Sequence, residues 1–428
     1  MSLSEKDRQT IWHPYTQMQT APAAIPIVRG EGARLYQEDG SVLLDTISSW
    51  WVTVHGHGHP YIADAIGKQA RELEQVIFAG FTHPPAVTLA ERLLAKLPQR
   101  ISRVFFSDNG STAVEVALKM AWQYWQNKGR PKQRLIALRH AYHGDTFGAM
   151  SVSGRSIFTR AFEELLFDVN FVSSPGEVPV ETVLQELEVA AARDDVAAII
   201  VEPLVQGAGG MLMYSAEALD QIISFCREKE ILVIFDEVMT GFYRTGKIFA
   251  SNHCLYKPDI VCLSKGLTGG YLPMSITACS EEIYAAFLSD DRSQMLFHGH
   301  SFTANPLGCA AANASLDLFE RSSTQDRISQ ICKAQEEGRQ LLSNSPYFTN
   351  VRCTGTVLAM DLADSGASNY LNDIGKRFSK WFEKKGVLIR PLGNVVYTMP
   401  PYSMEVQALK QIYLQMEEAV EEIRKEKG

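Results

Sequence analysis

Two residue types, set at the ends of two apolar runs, define the chemistry open to this sequence. Val261-Cys262-Leu263-Ser264-Lys265-Gly266 places an amine just after a short apolar run and just before glycine. Upstream, Ile231-Leu232-Val233-Ile234-Phe235-Asp236-Glu237 is an apolar run that ends in a carboxylate. An amine in such surroundings can condense with an aldehyde, and a buried acid can hold a pyridine nitrogen protonated. Those are the two needs of pyridoxal phosphate, whose protonated ring takes up the electron pair left when a proton leaves the carbon beside a substrate nitrogen. Ser-Lys-Gly alone is a weak signal, because a lysine before glycine commonly caps a helix or sits in solvent. Further groups must converge on the same place.

They do so by a repeated pattern. Arg103-Val104-Phe105-Phe106-Ser107 reads as a buried strand and is followed by Asp108-Asn109-Gly110-Ser111-Thr112. Behind it Val114, Ala117, Leu118, Ala121, Trp122 and Trp125 keep helical spacing, with Thr112 and Glu115 expected as a capping box and Gly129 as a stop. Gly110 and Ser111 would then offer backbone N–H groups and a hydroxyl to an anion. Arg134 to Leu138 is another apolar run, followed by Tyr142-His143-Gly144-Asp145-Thr146, whose aromatic ring suits a flat ligand. Val196 to Val201 ends at Glu202-Pro203. Gly110-Ser111, Tyr142, Glu202, Asp236 and Lys265 therefore each follow an apolar run, with helical segments between the runs. This alternation predicts an α/β fold with a mainly parallel sheet covered on both faces, and ligands bind beyond the carboxyl ends of such strands.

The elements outside that rim are read more coarsely. Trp12-His13-Pro14-Tyr15-Thr16 reads equally as an arm docking on the body or as part of a site, and Ala33 to Asp45 as a hairpin around Asp39-Gly40. Trp50 and Trp51 cannot both face one side of a strand. His55-Gly56-His57-Gly58-His59-Pro60 resembles a metal cluster, yet glycine and proline make it a turn with no cysteine or carboxylate nearby, so no metal is expected. Tyr61 to Leu97 is mostly helical, and Ser151 to Pro179 is the least regular stretch, a candidate surface or mouth loop. Leu307 to Glu320 is helical, Val351 to Asp361 and Gly386 to Tyr402 look like strands, and Glu405 to Lys425 is a closing helix. The expected division is a large domain over 54–315 and a smaller α+β domain from 1–53 and 316–428.

Composition narrows the class. The 428 residues are 46% hydrophobic and 21% charged, values of a globular protein with a large core. A net charge of −8 disfavours nonspecific nucleic-acid or anionic-membrane binding. Seven scattered cysteines, never in CxxC spacing, fit reduced thiols. The N-terminal stretch lacks a secretory apolar region, and no apolar run approaches the roughly 18 residues of a membrane span. A cytoplasmic location is expected.

A family resemblance rests on Phe235-Asp236-Glu237-Val238, Thr240-Gly241-Phe242, Arg244-Thr245-Gly246 and Ser264-Lys265-Gly266. Together they resemble the signature of the class III (ω-type) aminotransferases among fold-type I pyridoxal phosphate enzymes, over about Trp12 to Tyr402. Trp12-His13-Pro14-Tyr15-Thr16, Ser48-Ser49-Trp50-Trp51, Tyr142 to Thr146, and Arg390-Pro391 with Tyr397-Met399-Pro400-Pro401-Tyr402 resemble the branch of that class serving biotin synthesis.

The resemblance implies a fold-type I architecture with a seven-stranded sheet, and a homodimer sharing its sites. It implies Lys265, Asp236 and Tyr15 as the catalytic set, with Lys265 bonded to the cofactor and moving the proton. Tyr142 and Val238 would flank the cofactor ring, Gly110 and Ser111 would hold its phosphate, and Ser301 would reach the phosphate of the neighbouring subunit. Ser301 stands where the family usually has threonine, His300 is unusual beside it, and Met239 stands where many members have glutamine. The acceptor would be 7-keto-8-aminopelargonic acid, a long aliphatic keto acid, with S-adenosylmethionine as amino donor. Tyr15, Trp50, Trp51, Tyr142, Gly299 and Tyr397 would line its site, and Arg390 would bind its carboxylate bidentately. The alternatives are another ω-amino acid aminotransferase or an aminomutase of the class, or a silent pyridoxal-phosphate-fold binding protein, which the joint presence of Lys265 and Asp236 disfavours.

Overall fold

Seven apolar runs pair into one sheet in the computed structural model, which describes residues 1–363 and 373–425. In chain order they are β1 (Ile101–Ser107), β2 (Arg134–Leu138), β3 (Asn170–Val172), β4 (Val196–Val201), β5 (Leu232–Asp236), β6 (Ile260–Leu263) and β7 (Ser275–Ser280). Their order across the sheet is β1-β7-β6-β5-β4-β2-β3. Only β7 runs against its neighbours, so the carboxyl ends of the other six point to one rim.

Every residue of β4, β6 and β7 is buried. The period-2 geometry of a strand explains why. Ala198 and Ile200 pack with Val114, Ala117 and Ala121 of helix Gly110–Asn127 on one face. Ile199 and Val201 pack on the other face with Leu187 of helix Val180–Ala190 and with Leu219 and Ile223 of helix Ala216–Glu228. A strand buried on both sides carries no alternation, which is why these runs read as continuous apolar stretches.

Two smaller sheets draw on both ends of the chain. Ile27–Glu31, Arg34–Gln37 and Val42–Asp45 form an antiparallel set, and Val387–Leu388 adds alongside Leu44 and Asp45 in parallel. Phe348–Thr354, Val357–Leu362 and Val395–Thr398 form the third sheet, backed by helices Ser322–Leu342 and Val406–Lys425.

Two local expectations change. The helix after β1 is capped three residues earlier than Thr112: Asn109 accepts from Thr112 N at 3.1 Å, and the Thr112 hydroxyl returns to Asn109. Gly110 and Ser111 are thus the first helical residues, and Glu115 is released from capping to bind Gly148 N at 2.8 Å and Ala149 N at 3.2 Å. The stretch 151–179 also holds more structure than its composition suggests, since it contains β3, the short edge strand of the sheet. Among the described residues no helix is long and apolar enough to cross a membrane.

Candidate active site

The rim formed by the six strand ends collects the residues that the spacing singled out. Asp236 is the last residue of β5, Glu202 follows β4, Lys265 lies two residues past β6, Gly110 and Ser111 open the helix after β1, and Tyr142 lies four residues past β2. All line one cavity of about 460 Å³, together with Val238, Met239 and Trp51. A second cavity of about 710 Å³ shares Trp51, Tyr142 and Lys265 with the first and continues past Tyr15, Trp50, Arg390 and Tyr397. Gly299 and Ser301 lie outside both cavities, exposed on the segment before helix Pro306–Phe319.

Lys265 begins a single 3₁₀ turn with φ +48, a conformation that side-chain-bearing residues seldom adopt. Its ammonium lies 4.7 Å from the centre of the Trp51 ring. Desolvation draws its pKa down to about 8, against the opposing pull of Asp236 and Glu202. A far larger share of the amine than in an ordinary lysine is therefore neutral, and nucleophilic, near physiological pH.

Asp236 is buried and doubly held. Val238 N donates to its Oδ1 at 3.1 Å, and His143 Nδ1 lies 2.7 Å from its Oδ2. Since a carboxylate only accepts, His143 carries its proton on Nδ1. Glu202 is equally buried and accepts from Tyr142 N at 3.0 Å and from Gly207 N at 2.9 Å. Burial raises its pKa to about 7, with the nearby Asp236 charge adding to the rise and His143 opposing it. Glu202 fixes the backbone of Tyr142 on one side. On the other it fixes Gly207, where a Cβ would come within 3.1 Å of Met239 Cε and 3.2 Å of Trp51 Cζ3.

A cradle shaped for a flat, phosphorylated ring lies between these groups. A Cβ on Gly110 would stand 2.7 Å from Val238 Cγ1, and one on Gly144 would stand 2.0 Å from Ser111 Oγ. Gly144 has φ +129, so glycine is required there on both counts. Ser111 Oγ accepts from Asp145 N at 3.2 Å, at the start of an 18-residue helix whose first N–H groups can receive an anion. A partly neutral amine, a buried carboxylate, an aromatic face and an anion-binding helix start fit pyridoxal phosphate, with Lys265, Asp236, Tyr142, Val238, Gly110 and Ser111 as the residues able to hold it.

The outer cavity has a different chemistry. Arg390 stacks over Trp50 at 5.1 Å, and among the described residues no carboxylate pairs with it. Tyr15 lies against Trp50 and Phe158, each at 5.6 Å between ring centres. Its hydroxyl donates to Asp145 and lies 3.2 Å from the hydroxyl of Tyr142, which itself donates to Asp145 at 3.0 Å. Trp51 Nε1 donates to Tyr397 Oη at 2.9 Å. An apolar cavity whose lining holds a cation and reaches the amine suits a long chain carrying an acid at one terminus.

Spacing missed His143 and Asp145 as site residues, and it brought Glu202 to the rim without giving it a role. The signal for His143 and Asp145 was their place in the Tyr142-to-Thr146 run after β2; the signal for Glu202 was its position at a strand end.

This fold and site define an aminotransferase of the pyridoxal phosphate type, and the chain belongs to the class-III aminotransferase family, whose profile matches residues 15–420. It is 49% identical to the adenosylmethionine-8-amino-7-oxononanoate aminotransferase of Synechococcus elongatus over 96% of this chain and 99% of that one. The enzyme of the same name from Geobacter sulfurreducens is 39% identical over 95% of each chain. The crystal structure of the Methanocaldococcus jannaschii enzyme of that name superposes with a TM-score of 0.93 at 35% identity, covering 98% of both chains. An amine transaminase from an uncultivated Pseudomonas species, solved in its pyridoxal-phosphate-bound form, gives a TM-score of 0.89 at 32% identity over 96% of this chain and 98% of that one.

Proposed function

We infer that this chain transfers an amino group from S-adenosylmethionine to 7-keto-8-aminopelargonic acid, giving 7,8-diaminopelargonic acid for biotin synthesis. The 49% identity to an adenosylmethionine-8-amino-7-oxononanoate aminotransferase over nearly the full length carries this reading. The tunnel ending at Arg390 supports it, because the acceptor is an aliphatic chain with a terminal carboxylate.

When bound, pyridoxal phosphate supplies an aldehyde that takes over the donor's nitrogen and a ring that accepts the electron pair set free at the adjoining carbon. We assign the remaining work to the chain's own residues. Lys265 Nζ removes the proton from the amine-bearing carbon of the donor, and in the second half-reaction delivers one to the former carbonyl carbon of the acceptor. Asp236, braced by His143 and Val238 N, would pair with the ring nitrogen of the cofactor. Tyr142 and Val238 would flank the cofactor ring, and Gly110 and Ser111 would hold its phosphate. Arg390 orients the acceptor by its carboxylate. Trp50, Trp51 and Tyr397 exclude water along its chain, and Tyr15 closes the tunnel beside Asp145.

Three further assignments accompany this reading. The division into a large domain over 54–315 and a small domain from 1–53 and 316–428 puts the substrate tunnel between them. A homodimer, with Gly299 and Ser301 serving the neighbouring copy's site, is supported by an exposed apolar set. Ile77, Phe81, Phe297 and Phe302 are each at least 60% exposed, and Gln75 Nε2 ties the first segment to Ser301 O at 2.8 Å. We place the reaction in the cytoplasm, in keeping with seven free cysteines.

The test is to add S-adenosylmethionine alone to the pyridoxal phosphate form. Conversion of the bound cofactor to its amine form is expected. A spectrum unmoved by that donor yet shifted by β-alanine or 4-aminobutyrate would overturn the assignment.

A further inference from the structure

The histidine-rich turn 55–59 splits among three neighbours. His55 is buried against Ser315 Oγ at 3.0 Å, and His59 begins helix Pro60–Glu72 without a side-chain cap. His57 turns the other way, toward the substrate tunnel, where its Nε2 donates to Asp45 Oδ2 at 2.8 Å.

Asp45 is fully buried, and its carboxylate is more heavily used than any other near the tunnel. Oδ1 accepts from Ile47 N at 3.0 Å, and Oδ2 accepts from Ser49 N at 2.6 Å as well as from His57. The backbone it grips is strained. Ser48, Ser49 and Trp51 all have positive φ, at 52, 59 and 67, and none is glycine. Such a turn persists only where its surroundings over-determine it. Asp45 supplies that constraint by satisfying two N–H groups at once, and His57 fixes the carboxylate's orientation. His57 is itself immobile. Its backbone exchanges two hydrogen bonds with Gly32, at 3.0 and 2.7 Å, and its Cβ lies 2.6 Å from where a Cβ on Gly30 would stand.

The turn delivers both tryptophans, but they are not equally anchored. Trp51 is 5% exposed and has two further ties, from its Nε1 to Tyr397 Oη at 2.9 Å and from Arg244 to its carbonyl at 3.3 Å. Trp50 is 44% exposed, and its entry into the tunnel follows directly from the Ser49 N–Asp45 bond. Trp50 is also the ring on which Arg390 stacks.

We propose that Asp45 and His57 are positioning residues for the acceptor's carboxylate: the pair clamps the 47–51 turn so that Trp50 stands behind Arg390 and holds its guanidinium at the end of the tunnel. This rests on the reading that Arg390 receives the keto acid. The dyad acts through Trp50 and touches neither the cofactor nor the reacting carbon. Its loss therefore falls on acceptor recognition and spares the donor half-reaction.

The experiment compares His57→Leu, His57→Gln and Asp45→Asn with wild type as holoenzymes. For His57→Leu, the KM for 7-keto-8-aminopelargonic acid should rise about tenfold, the size expected for losing one charge-assisted hydrogen bond. The rate at which S-adenosylmethionine alone converts the bound cofactor should stay within about twofold, since Trp51 keeps its own ties. His57→Gln, which retains an N–H donor, should recover most of the acceptor KM. Asp45→Asn should show the same split more strongly; should it not fold, the two His57 variants carry the test. Equal losses in both half-reactions, or a His57→Leu enzyme indistinguishable from wild type, would overturn the proposal.

Failure of the functional reading is separately visible, as wild-type enzyme inert toward S-adenosylmethionine. The dyad is then read from binding of pelargonate, a chain of the same length with the same terminal acid, by quenching of tryptophan emission. About tenfold weaker binding to His57→Leu than to wild type upholds the clamp, and equal binding refutes it.

Discussion

His143 Nδ1 lies 2.7 Å from Asp236 Oδ2, in a pair closed to solvent, and the far nitrogen of the same ring, Nε2, is buried without a hydrogen-bond partner. One bond therefore sets the histidine's tautomer and fixes the orientation of the acid. Replacing His143 with leucine leaves Asp236 Oδ2 buried and unpaired. Cofactor binding should weaken by about tenfold and the donor half-reaction should slow by a similar factor, as expected when a buried charged acceptor loses its donor. Reconstitution of apo-enzyme with graded pyridoxal phosphate measures the first, and single-turnover kinetics the second.

Arg390 offers the sharpest separation of the two substrates. Arg390→Ala should raise the KM for the keto acid by about tenfold to a hundredfold, the range for losing a bidentate carboxylate contact, while reaction with S-adenosylmethionine alone changes little. Equal losses for both substrates would remove the carboxylate assignment.

Lys265 gives a pH dependence with a defined sign. Its folded pKa of about 8 lies below the ordinary 10.5, so the unfolded chain holds its proton more tightly across that interval. The stability cost of burying the charge is complete below pH 8 and disappears as pH climbs from about 8 to 10.5. Apo-enzyme carrying Lys265→Met should therefore melt higher than wild-type apo-enzyme at pH 7, with the gap narrowing over that interval, although it cannot react. For the wild type, the rate of covalent cofactor capture should rise with pH up to about 8 and then level off, following the neutral amine.

Gly144 is the residue on which the phosphate cradle is least tolerant. Its φ of +129 and the 2.0 Å gap between an added Cβ and Ser111 Oγ act together. Gly144→Ala should displace the Ser111 hydroxyl and weaken cofactor binding by about tenfold or more, whereas Ser111→Ala should cost less, because the helix N–H groups remain. Titration of each apo-variant with pyridoxal phosphate gives the comparison.

Much of the rim was legible in the sequence, because a strand buried on both faces is a continuous apolar run and its carboxyl end is where a parallel sheet presents chemistry. Lys265, Asp236, Glu202 and Gly110 could be put on one edge from that alone. What the sequence did not disclose depends on long-range partners. The 2.7 Å bond between His143 and Asp236 joins positions 93 residues apart, and the Tyr15 contact with Asp145 spans 130. The turn at 48–51 was invisible for another reason: three non-glycine residues at positive φ defy local preference, and the turn is held by bonds such as those from Ile47 N and Ser49 N to Asp45. The capping error at Thr112 has a similar source. Glu115 looked like a capping partner by spacing, but Gly148 and Ala149, more than thirty residues away, claim it.

The N-terminal arm carries a consequence of its own. Helix Leu3–Thr10 buries no residue, yet the strand of chain beyond it ends at Tyr15, packed on Trp50 and Phe158 and bonded to Asp145. Removing the first twenty residues would leave the hydrophobic interior intact and strip the roof from the acceptor tunnel. A brief protease treatment that removes them should thus yield a folded, coloured protein that has lost its preference among amino acceptors.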